Sequence, residues 1–224
     1  FIVGTVMKKT HVNELMPKVT ETSVRMPLDL DLLPYSIDSS KMLTSSSFFV
    51  PKTKNVFDLY FSDFPDHNSA RIVLAESALI ASTDVASYKA ALEKEREHVK
   101  KLADSTANVV VIIMRMPAWL STSSDSSPVG DAGWKEYQAH SPKDYAKWRE
   151  LMQITGTFFA GFPQTHVYYE VWNEPDLFSW KESSDAYLRL YKETATALRK
   201  ADPQGKIGGA GLNGWNGKLV SDTE

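Results

Sequence analysis

The run Asn108–Met114 (NVVVIIM) narrows the choice of fold more than any other stretch. A strand with one wet face alternates apolar and polar residues. This run does not, so both of its faces must be covered, as they are when helices flank a parallel sheet. Its neighbours carry the same rhythm. Ala70–Ala75 (ARIVLA) and His166–Trp172 (HVYYEVW) predict strands, and Lys206–Ala210 (KIGGA) predicts one more. Between them Tyr88–Ala103, Pro142–Phe159 and Asp185–Lys200 predict helices. The middle helix has Ser141 placed as its N-cap, Pro142 at its first position and Asp144 in its first turn. The last has Tyr187, Leu190, Tyr191, Thr194 and Leu198 on one face and ends at Ala201-Asp202-Pro203. Strand–helix alternation of this kind builds a doubly wound sheet or a (β/α)8 barrel.

The first third is less regular. Phe1–Val6 and Thr22–Leu28 read as strands, the second interrupted by Pro27, and His11–Thr20 as a short helix weakened by Pro17. Ser36–Asn68 is rich in Ser, Pro, Asp and Asn and reads as a long connection or insertion with an aromatic stretch, Val56–Phe61, inside it.

Composition removes several functional classes. The net charge of −3 offers no basic footprint, so no nucleic-acid partner is expected. With no cysteine, disulfides, thiol nucleophiles and cysteine–zinc sites are excluded. None of the five histidines is spaced as a ligand pair, and neither a metal nor a cofactor is expected. No apolar stretch approaches the ~18 residues of a membrane span. Phe1-Ile2-Val3-Gly4 lacks the basic segment of a signal peptide, and the missing Met points to a processed or trimmed start. A chain without cysteine is compatible with export, and a secreted or extracytoplasmic location is the expectation.

The chemistry concentrates at Trp172-Asn173-Glu174-Pro175, where the strand 166–172 stops. In a βα barrel the C-terminal ends of the strands form the active face. A carboxylic acid partly shielded from water there is suited to hold and deliver a proton near neutral pH. The Asn173 amide can hydrogen-bond a hydroxyl of a bound sugar, and Pro175 stiffens the corner. An Asn-Glu-Pro tripeptide by itself is more often a capped surface turn; the aromatic strand before it and the βα rhythm around it favour the site. Gly209-Ala210-Gly211-Leu212-Asn213-Gly214 satisfies the dinucleotide fingerprint G-x-G-x-x-G. The residues after it do not read as a helix, and the glycines are better explained by a strand end that turns close beneath the site.

The segment Val167–Asp176 (VYYEVWNEPD) resembles the fourth-strand signature of clan A retaining glycoside hydrolases, most of all glycoside hydrolase family 39, a group that includes β-xylosidases, α-L-iduronidases and exopolysaccharide hydrolases. Ile113–Ser121 (IMRMPAWLS) is similar to the third strand and its Pro-x-Trp-Leu ending, Ser141–Trp148 to the start of the third helix, and Lys206–Gly211 to the fifth strand. The resemblance runs from about residue 85 to 214 and is poor before 70.

It implies an α/β fold, a (β/α)8 TIM barrel, of which residues 1–224 form the N-terminal portion with about five βα units. It implies hydrolysis of O-glycosidic bonds in a poly- or oligosaccharide by double displacement, with no cofactor. Glu174 matches the general acid/base and Asn173 the neighbouring amide that contacts the sugar. Trp119 falls where an aromatic often lines a sugar subsite, and Asn213 and Trp215 follow the fifth strand within reach of substrate. Glu76, read as just past the strand 70–75, is a further candidate for the mouth. A retaining enzyme needs a second carboxylate about 5–5.5 Å from the acid. At the seventh strand it would lie roughly 90 residues beyond Glu174, and the sequence stops at Glu224. The expectation is therefore an incomplete barrel, with the nucleophile on missing sequence and a second polypeptide as one way to complete it. The competing reading is a non-catalytic carbohydrate-binding barrel.

Overall fold

The computed structural model describes Ser45–Ser46 and residues 69–130, 133–209 and 211–213. The strands and helix expected within residues 1–28, the aromatic stretch Val56–Phe61 and Trp215 lie outside these residues. Five parallel strands form one sheet in the order β1 (Ser45–Ser46), β2 (Ser69–Ile72), β3 (Asn108–Ile113), β6 (His166–Val171) and β7 (Lys206–Gly208). A short antiparallel hairpin, β4 (Pro128–Val129) with β5 (Trp134–Lys135), lies between β3 and the next helix. The helices are α1 (Leu74–Ala81), α2 (Val85–Lys94), α3 (Arg96–Ser105), α4 (Tyr145–Ala160) and α5 (Ser184–Ala201). The chain is thus α/β with a parallel sheet in sequential strand order. Among the described residues no helix is long and apolar enough to cross a membrane.

Sheet pairing follows from the apolar runs. β3 registers against β2 on one side (Ile72 opposite Val111) and β6 on the other (Val111 opposite Tyr169). Along β6, Val167, Tyr169 and Val171 are buried in the core, while the alternate positions Tyr168 and Glu170 are only half-buried. The one-residue alternation thereby separates a packed face from a face that carries polar groups.

Three sequence expectations are corrected. The strand expected over 70–75 ends at Ile72, and the run continues as α1, so Glu76 sits in a helix's first turn rather than just past a strand. The single helix expected over 88–103 is two helices that meet at Glu95. The break goes with the seating of Arg96, whose guanidinium lies 4.8 Å from the Phe158 ring centre and bonds Glu93 in a fork at 2.7 and 2.8 Å. The cap of α4 is Asp144, whose Oδ1 accepts from Ala146 and Lys147 N–H at 2.9 and 3.1 Å. Ser141 lies outside the helix, which begins at Tyr145, and its N–H and hydroxyl both donate to Glu182. Within 36–68, Ser45–Ser46 forms β1 and pairs parallel with β2; the rest of that segment lies outside the described residues.

At the opposite end from the Asn-Glu-Pro corner, the Tyr169 hydroxyl donates to Asp202 Oδ2 at 2.8 Å and Gly205 N–H donates to Asp202 Oδ1 at 3.0 Å. Burial, then the Asp202 charge, pushes the Tyr169 hydroxyl well up, which keeps it a donor. A Cβ on Gly205 would stand 2.5 Å from both Asp202 Oδ2 and Tyr169 Cε2. Gly205→Ala is therefore expected to cost about 1–3 kcal/mol in urea unfolding, the usual penalty of overpacking.

Candidate functional site

The corner after β6 is built on strained backbone. Trp172 and Glu174 have φ of 70° and 50°, and Arg115 after β3 has φ of 65°. Left-handed conformations cost a non-glycine residue on the order of 1–3 kcal/mol and persist only where surroundings enforce them. The enforcement is visible. Trp172 is fully buried, its ring centre 5.1 Å from that of Trp180 in an edge-to-face contact, and its backbone N–H donates to Ile113 O at 2.8 Å. Glu174 N–H donates to Gly211 O at 2.8 Å, and Leu177 N–H donates to Glu174 O at 3.0 Å. The Ser179 hydroxyl lies 2.8 Å from Asn173 O and 2.6 Å from Glu174 O.

Asn173 is oriented by charge. Arg71, on β2, donates from Nε and an Nη to the two oxygens of Glu170 at 2.8 Å each, and from the same Nη to Asn173 Oδ1 at 2.7 Å. A guanidinium can only donate, so the Asn173 atom it meets is the oxygen. Arg71 thereby fixes which edge of the Asn173 amide is the acceptor side. Gly211 makes the close approach of β7's end possible: it bridges with Asn173, and a Cβ there would lie 3.1 Å from Glu170 Oε1.

The structure brings Glu174, Asn173 and Asn213 together. Asn213 is exposed; its Nδ2 stands 3.4 Å from Glu174 Oε1 and its N–H donates to Asp176 Oδ1 at 3.1 Å. Trp119 is half-buried against the core, and its Nε1 donates to Ser82 Oγ at 3.0 Å, so its polar edge is spent within the fold. Glu76 is buried and pairs with Arg115 Nε at 2.7 Å, although that N–H is not aimed for a hydrogen bond. Burial pushes the Glu76 carboxyl up and the Arg115 guanidinium down, while their attraction opposes both shifts. Arg115 also lies 4.2 Å over the Trp134 ring.

A second carboxylate ties the surrounding loops. Glu182 accepts from Ser141 N–H at 2.9 Å, from the Ser141 hydroxyl, from Thr122 Oγ1 at 3.0 Å and stands 3.2 Å from His140 Nδ1. Burial works to raise its carboxyl, but the bonds from Ser141, Thr122 and His140 outweigh that and hold it low. Loops that follow β3 and β6 are thereby fastened together.

Sequence reasoning missed Arg71, Glu170, Ser179 and Glu182. A signal existed for two of them: Arg71 and Glu170 are the lone charges within otherwise apolar strand runs, and a charge on a strand buried at both neighbours calls for a partner. Nothing local marks Ser179 or Glu182.

Comparison with known proteins places the sequence among glycosidases. One stretch of 87 residues is 36% identical to a beta-xylosidase from Geobacillus stearothermophilus, covering 36% of this chain and 17% of that protein. Another of 82 residues is 32% identical to a beta-xylosidase from Caldicellulosiruptor saccharolyticus, covering 33% of this chain and 17% of that protein. The matched stretch thus spans 17% of the length of each relative. Residues 102–221, which include β3, β6 and the whole corner, match the glycosyl hydrolases family 39, and the chain belongs to that family.

Proposed function

We propose that this chain carries the acid/base half of the catalytic pair of a retaining glycoside hydrolase built on a (β/α)8 barrel, of which residues 1–224 form the N-terminal portion. Glu174 protonates the glycosidic oxygen as the leaving group departs, a carboxylate on a later barrel strand attacks the anomeric carbon, and Glu174 then removes a proton from the water that releases the sugar. That later strand belongs to sequence beyond the chain described, either in the same polypeptide or in a second one that completes the barrel. Asn173 donates to a sugar hydroxyl beside the reacting carbon. The observation that carries the reading is the pairing of Glu174 with an Asn173 amide whose donor side is fixed by Arg71. The beta-xylosidase relatives make β-xylosides the first substrates to try.

The anomeric configuration of the first sugar released by the complete protein, followed by proton NMR, tests the mechanism. Retention is expected. Inversion overturns double displacement, and saccharide binding without hydrolysis assigns the protein to the non-catalytic class.

A further inference from the structure

Ser179 stands in an unusual relation to the corner. It is buried, at 4% exposure, five residues beyond Glu174. Its backbone carbonyl accepts the Trp172 indole N–H at 3.1 Å. Its hydroxyl faces the carbonyls of Asn173 at 2.8 Å and of Glu174 at 2.6 Å, one proton shared between two acceptors. One residue therefore holds all three consecutive corner residues, two of which have left-handed backbones. A helix or strand would hold such groups by a continuous ladder; among the described residues this corner has separate backbone bonds instead, Trp172 N–H to Ile113 O, Glu174 N–H to Gly211 O and Leu177 N–H to Glu174 O.

We propose that the Ser179 hydroxyl is a positioning latch for the acid/base, a role that rests on the assignment of Glu174 above. It touches neither sugar nor reacting atoms. It fixes the peptide planes on both sides of the Glu174 Cα, and with them the direction in which the carboxyl leaves the strand end. Without it the carbonyls of Asn173 and Glu174 lose their shared donor, and the strained φ at Glu174 is free to relax. The carboxyl then swings with the backbone. Because the latch acts on proton delivery, its loss falls on the step that needs a proton and spares a step that does not.

The test compares Ser179→Ala and Ser179→Thr with the wild type in the complete protein, on xylobiose and on a dinitrophenyl β-xyloside. The sugar leaving group requires protonation; the dinitrophenolate does not. For Ser179→Ala the expected loss in kcat/KM on xylobiose is about 10²-fold, the scale set by an ångström of misplacement, with the dinitrophenyl substrate changed by no more than about threefold and xylobiose turnover largely regained in Ser179→Thr. Equal losses on both substrates mark a merely structural residue and overturn the latch. Hydrogen exchange supplies a readout independent of the sugar. The Glu174 and Leu177 amides should exchange at least about 10-fold faster in Ser179→Ala, as local opening there becomes easier; unchanged exchange overturns the latch. A wild-type protein that hydrolyses neither xyloside overturns the xyloside assignment instead, and the exchange result still decides the latch.

Discussion

With Glu174 as the proposed acid/base, Glu174→Gln in the complete protein is expected to lower hydrolysis of unactivated glycosides by ~10²–10⁴-fold, the usual contribution of a positioned general acid. Gln keeps the length, volume and hydrogen-bonding reach of Glu, so the corner, with its bonds to Gly211 and Ser179, stays folded. What disappears is the transferable proton. The loss is therefore in kcat rather than in thermal stability. It also has a chemical signature. An aryl glycoside whose phenol leaves without help should keep most of its first step, so that the glycosyl-enzyme accumulates and KM falls. The second step still lacks its base, and a small anionic nucleophile such as azide, which needs no deprotonation, restores turnover. The measurement is kcat and KM on both substrate types with and without azide. Near wild-type hydrolysis of natural glycosides by Glu174→Gln would remove Glu174 from the mechanism and the acid/base reading with it.

The parts of this site that could be read in advance were those at strand ends that the apolar runs mark: the contiguous corner after β6, and Asn213 after β7, whose amide stands 3.4 Å from Glu174. Trp172-Asn173-Glu174-Pro175 lies on one strand end, and the apolar runs around it place that end at the C-terminal side of a parallel sheet. Arg71 was hidden because its partners are roughly a hundred positions away and only strand order brings them together. The same distinction separates the element boundaries that held from those that moved. β3, β6 and α5 match their patterns because burial and local preference agree. α1 was unexpected because ARIVLA is apolar enough to be either strand or helix, and its last residues, followed by Glu76-Ser77-Ala78-Leu79, are good helix formers. The break at Glu95 lies among strong helix formers and follows the tertiary seat of Arg96 on Phe158, which no local pattern reports.

Arg71 should be the second most sensitive position, and through a different route. Arg71→Met removes the fork on Glu170 and the donor to Asn173 in one step. Glu170 is 14% exposed at its side chain, and stranding it without its cation costs roughly 2–4 kcal/mol in urea unfolding, somewhat under the range for a fully buried pair. Activity should fall by about 10²-fold, since Asn173, no longer held by its oxygen, is free to turn its amide and misplace the donor meant for the sugar. Stability and orientation are separable with Arg71→Lys. An ammonium restores the charge beside Glu170, and unfolding should return most of the way to wild type. It cannot present two parallel N–H groups to a carboxylate and a third contact to an amide oxygen in the same plane, so activity should remain low. Wild-type kcat/KM in Arg71→Lys would show that charge alone is needed and that the fork has no part in catalysis. A cycle with Asn173→Ala locates the effect. If Arg71 acts through Asn173, adding Arg71→Lys to Asn173→Ala costs no further activity, because the group whose direction it sets is already gone; losses that multiply would place the action of Arg71 elsewhere in the site.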